Sequence, residues 1–115
     1  MAEEMSMWKG SVQYNEESIG VVLTLIDNEG VLTGRLQVMD PENSGLHEMG
    51  IISTGSKVDN TVTFETNTEL EVNAMQDTDS LIGTILFPPR NEEGSFEADI
   101  KLKESTVLYL PFVRR

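Results

Sequence analysis

The chain has 115 residues, no cysteine, and twenty acidic residues against eight basic ones, a formal charge of −12. That length can bury a core without staples, while the missing thiols leave neither a disulfide framework nor a thiolate metal site. The charge opposes direct nucleic-acid binding and attachment to anionic membrane surfaces, because both recruit Lys and Arg.

Taken in chain order, the predicted strands are Met7–Asn15, Ser18–Asp27, Val31–Asp40, Met49–Val58, Thr61–Thr66, Leu70–Gln76, Leu81–Pro88 and Ser95–Glu104, with a short ninth over Thr106–Val113. Each shows apolar residues at every second position: Trp8, Gly10, Val12 and Tyr14 in the first, Leu23 and Leu25 in the second, Leu32, Gly34, Leu36 and Val38 in the third. Such alternation gives a strand one dry and one wet face. The separators are rich in Asn, Asp, Gly and Pro, the residues that suit tight turns. No connection is long enough for a parallel crossover. The pattern therefore predicts an all-β fold, a single antiparallel up-and-down (meander) barrel of about eight strands. One domain is expected over residues 1–115, with 1–6 as a flexible lead.

Aligning the dry faces puts Leu25 near Leu32 and Leu23 opposite Gly34. The same demand places Phe64 opposite Val72 and Val62 opposite Ala74, which leaves Glu65 facing Glu71 on the wet side. Like charges so placed cost a few tenths of a kcal/mol; the pair reads as a tolerated surface cost or a small cation site. Gly10, Gly34 and Gly83 fall mid-strand in the inward phase, where they either let strands coil sharply or leave room for a ligand.

Catalytic apparatus is sparse. His47 stands alone in a loop, no nucleophile motif accompanies it, and no Gly-rich phosphate loop is present. The carboxylates fall in turns or in the outward phase, where they are solvated rather than poised for acid–base work. Asp27-Asn28-Glu29-Gly30 and Asp77-Thr78-Asp79 lack the long loop of a strong calcium site. The expectation is a protein that is not an enzyme and needs no cofactor or metal. An acidic N-terminus without an apolar stretch and the lack of cysteine point to the cytoplasm.

The inward phase is nearly uncharged, its polar members being Tyr14, Ser53, Thr66 and Gln76, and no Lys or Arg is placed there. This predicts binding of a small neutral hydrophobic molecule in or at the mouth of the barrel. Trp8 would floor one end, Val12, Leu23, Leu36, Phe64, Val72, Ile85, Phe87 and Ile100 would line the interior, and Tyr14 or Gln76 would supply a hydrogen bond. The alternative is a side-chain-filled interior in an acidic interaction module, an inhibitor or nucleic-acid mimic, meeting a basic protein partner through Glu65, Glu71, Glu97 and Asp99. Outward apolar residues Val22, Ile26, Ile82 and Leu86 define a patch for a homodimer, or one covered by Val107–Val113.

Trp8-Lys9-Gly10, the repeated Leu-x-Gly-x-aliphatic strands (Leu32–Leu36, Leu81–Ile85) and the meander resemble small calycin-type barrels, the grouping of lipocalins, fatty-acid-binding proteins and avidins. The opening is also similar to lipocalin-like domains found beside bacterial serine hydrolases, with the usual order of Gly and Trp reversed. The resemblance covers residues 7–110 and implies binding of an apolar ligand; it carries over no ligand residue.

Overall fold

Hairpin after hairpin, the alternating strands pair with their sequence neighbours until the last returns to the first. The computed structural model describes residues 4–14, 16–40, 45–89 and 94–105. Its strands are β1 (Glu4–Tyr14), β2 (Glu17–Asn28), β3 (Val31–Asp40), β4 (Gly45–Val58), β5 (Thr61–Thr66), β6 (Glu71–Asp77), β7 (Ser80–Phe87) and β8 (Phe96–Ser105). All neighbours are antiparallel, and β8 pairs with β1, so the eight strands form one closed meander barrel. Closure removes the exposed sheet edges that would otherwise invite aggregation. The dry phase supplies the core, including Val12, Leu23, Leu36, Phe64, Val72, Ile85 and Ile100.

Strand ends depart from expectation where ladders run on. Glu4, Met5 and Ser6, expected ahead of the first strand, pair with Asp27, Ile26 and Leu25. Likewise β4 starts at Gly45, not Met49, because residues 45–48 pair with Gln37–Asp40. The ninth strand expected over Thr106–Val113 lies outside the described residues.

Turn chemistry corrects one register. Asp27-Asn28-Glu29-Gly30 reads as a four-residue loop, yet Asn28 pairs with Val31 across only Glu29 and Gly30. Both have positive φ (57° and 90°), as a two-residue primed turn requires. The Asp27 Oδ1 accepts a 2.8 Å hydrogen bond from the Gly30 N–H. Leu25 therefore faces Gly34 and Leu23 faces Leu36, two residues away from the sequence expectation. Across β5 and β6 the expected register holds, with Phe64 opposite Val72, Val62 opposite Ala74 and Glu65 opposite Glu71.

A second correction concerns β4. Between Ile52 and Thr54 the pairing with β5 slips by one residue at Ser53, and such a bulge reverses which side chains point inward. Before it Ile52 is buried, while Ile51 and Ser53 are exposed. Ser53, expected inside, donates its hydroxyl to the Glu65 carbonyl at 3.1 Å on the outside. After the bulge, Lys57 pairs with the inward-facing Val62.

The inward glycines serve close approach. Gly34 has φ 137°, and a Cβ there would overlap the Thr24 carbonyl oxygen of β2. A Cβ at Gly83 would overlap the Asn73 carbonyl oxygen of β6. Neighbouring backbone fills the space a side chain would need, so these glycines let strands coil and close the cylinder.

At the end opposite the starts of β1 and β3, a hydroxyl network seals the wall. The buried Thr66 Oγ1 accepts from the Leu70 and Thr68 N–H groups at 3.1 and 3.3 Å and lies 2.8 Å from Thr68 Oγ1. Thr68 in turn donates to the Met49 carbonyl at 2.8 Å, so the Thr66 hydroxyl proton goes to Thr68. Thr66→Val keeps the shape but strands these donors; it is expected to lower stability by about 1–3 kcal/mol. Urea denaturation checks this, and an unchanged midpoint would contradict the role given to the network.

Candidate functional site

The middle of the barrel is packed. Val21, Leu36 and Ile85 have no accessible surface, and Val12, Leu23 and Ile100 have almost none. Open volume lies at the mouth where β1, β3, β5 and β7 begin and β2, β4, β6 and β8 end. There a recess of about 490 Å³ is lined by Trp8, Leu25, Leu32 and Val62 below and by Glu4, Met5, Ser6, Asp27, Lys57, Gln76 and Glu104 around the rim. Its size falls within the range of small-molecule pockets.

Each lining group has a local cause. Trp8 stands in the inward phase of β1, and its indole Nε1–H donates to Ser6 Oγ at 2.9 Å, which settles the one polar group of the ring. Only 2% of Trp8 is exposed, so it closes the floor and offers little surface itself. Gln76, half-buried, donates from Nε2 to the Thr78 carbonyl at 3.4 Å, and its backbone N–H donates to the Asn60 carbonyl at 2.8 Å. Lys57 reaches the rim because of the Ser53 bulge, and its backbone N–H donates to the Gly30 carbonyl at 2.8 Å, tying β4 to the β2–β3 turn. Among the described residues Lys57 makes no salt bridge. The rim thus holds three carboxylates (Glu4, Asp27, Glu104) and one ammonium over an uncharged floor.

Of the residues expected to form the site, the structure brings Trp8 and Gln76 to the recess. Val12, Leu23, Leu36, Phe64, Val72, Ile85 and Ile100 belong to the core instead. Phe87 packs toward the other end, its ring centroid 5.8 Å from that of Phe96. Tyr14 ends β1, and its side chain lies outside the described residues. Lys57, Met5, Leu25, Leu32 and Val62 join the recess without having been singled out for it. For Lys57 a signal existed: a two-residue turn at Asp59-Asn60 pairs Val58 with Thr61 and hence Lys57 with Val62.

A second, shallow depression of about 460 Å³ lies over the outer wall at β4, β5 and β6, edged by Thr54, Ser56, Thr63, Glu65, Glu71 and Asn73. In the patch expected for a homodimer, Ile82 is exposed, Ile26 and Leu86 are half-buried and Val22 is buried.

No protein-family model matches this chain, and neither a curated protein nor a solved structure does.

Proposed function

We propose that the protein is a non-enzymatic, lipocalin-like binding barrel that takes a small neutral hydrophobic molecule at its mouth. The single observation that carries this reading is the recess over Trp8, apolar in its floor and large enough for a compact ligand. The packed middle of the barrel supports a site at the mouth over one in the lumen. A neutral ligand fits best because the rim presents both signs of charge, so an ionic head of either sign meets repulsion as well as attraction. Ser6, Gln76 and Lys57 are the groups that would orient a polar end. The lipocalin-like assignment rests on the closed eight-stranded meander and on Trp8 near one mouth of it.

Titration with a neutral phenyl-naphthylamine dye tests the reading, since Trp8 is the sole tryptophan and transfers its excitation to a dye bound nearby. Saturable dye emission is expected. Gln76→Phe narrows the recess and removes a hydrogen-bonding group from its rim, and should weaken dye binding by about tenfold or more, equivalent to roughly 1.4 kcal/mol. No saturable response in the wild type would dismiss the proposal, as would equal affinity in the narrowed variant.

A further inference from the structure

We infer that the outer face of β4–β7 docks a basic amphipathic helix of a partner protein. Register places Val58, Thr61, Met75 and Ile82 side by side across these four strands. Val58, Met75 and Ile82 are 65%, 55% and 49% exposed, and register sets these three apolar side chains in one row. Thr61 donates its hydroxyl to the Met75 sulfur at 3.3 Å, which holds the thioether in the row.

Carboxylates bracket this row. On the mouth side stand Asp59 and Asp79 in turns and Asp77 at the end of β6, all exposed. On the other side comes a neutral row, Ser56, Thr63 and Asn73, which lies in the shallow depression. Beyond it Glu65 and Glu71 face each other directly. Among the described residues neither makes a salt bridge; the Arg35–Glu48 pair (3.2 Å) lies on β3 and β4. Outward side chains along one strand repeat about every 6.7 Å, so the glutamate pair is roughly 13 Å from the apolar row.

A helix with its side chains is about 10–12 Å wide. One bearing a narrow apolar stripe flanked on both sides by Lys or Arg sets that stripe on Val58, Met75 and Ile82. One flank then reaches Asp59, Asp77 and Asp79, and long Lys or Arg side chains on the other extend over the depression towards Glu65 and Glu71. Relief of the glutamate repulsion adds to the steering that the −12 charge supplies. A second copy of this chain fits poorly, because two-fold pairing would set the same carboxylates against one another. This inference stands on the outer wall alone and is independent of the mouth recess.

The test is fluorescence anisotropy of a dye-labelled synthetic Leu/Lys amphipathic helix of about 18 residues, titrated with the whole protein. Saturable binding of one peptide per chain is expected, weakened roughly tenfold at about 0.5 M salt. M75T/I82T and E65Q/E71Q should each weaken it by about tenfold or more. E4Q/E16Q removes the same charge from the β1–β2 wall across the barrel and should change affinity by less than about twofold. Equal losses from E4Q/E16Q and E65Q/E71Q would reduce the effect to diffuse attraction and overturn the inference. So would the absence of saturable binding, or sedimentation as a dimer that M75T/I82T dissolves, which would assign the face to a second copy. Circular dichroism of each variant confirms that these exposed substitutions leave the barrel folded.

Discussion

Gly34→Ala is expected to lower stability by about 3 kcal/mol, enough to unfold much of the protein at moderate denaturant. Two costs combine in this one methyl group. The backbone at Gly34 sits at φ 137°, a region that side-chain-bearing residues avoid, and the new Cβ would overlap the Thr24 carbonyl oxygen. Relief requires β2 and β3 to separate where Leu25 faces Gly34, opening the wall beside the recess floor. Urea denaturation followed by far-ultraviolet circular dichroism measures the loss. A variant as stable as the wild type would show that the strands close without this approach.

Trp8→Ala is expected to cost about 3–5 kcal/mol, the range for deleting a buried large aromatic side chain. The indole is 2% exposed, packs in the core cluster and satisfies Ser6 through its ring N–H. Removing it would join the mouth recess to a new hole in the core, and neighbouring residues such as Leu25 and Val62 could fill that hole only in part. Trp8→Phe should cost less than the alanine variant, since most of the volume remains. Thermal melts of both variants decide the matter; a small loss in the alanine variant would mean that the indole does not seal the barrel.

Much of the fold was legible because one physical rule governs it. Alternation marks β3 and β5 to the residue and brings Phe64 opposite Val72 without any structure. Two local devices escaped that rule. Asp27-Asn28 continues the ladder instead of turning, which moved the partner of Leu23 from Gly34 to Leu36. Bulges within β4 are the second: a slip at Met49, between the Leu36–Gly50 and Gln37–Glu48 pairs, leaves Ile51 and Ser53 outward, and the slip at Ser53 brings Lys57 to the rim. A bulge leaves no residue signature comparable to Asn-Gly or Pro, so parity read from Met49 fails at Ile51 and Ser53. The candidate site was legible only in Trp8 and Gln76. Whether inward aliphatics enclose space or fill it depends on strand coiling and side-chain volume together, and alternation reports neither. The glycines at 34 and 83 had two readings in the sequence, and neighbouring carbonyl oxygens occupy the space that would separate them.

The exposed row Val58–Met75–Ile82 was harder still to read, because it is a property of register across four strands. Ile82 stood out as an outward apolar residue, but its companion Met75 becomes visible only when β6 and β7 are aligned.

Methyl NMR of the isotope-labelled protein, titrated with the neutral dye, tests most directly where a ligand sits. Binding at the mouth predicts saturable shifts at Met5, Leu25, Leu32 and Val62, with Leu36, Ile85 and Ile100 unmoved. Shifts centred on Leu36, Ile85 and Ile100 would place the ligand in the lumen and contradict the account.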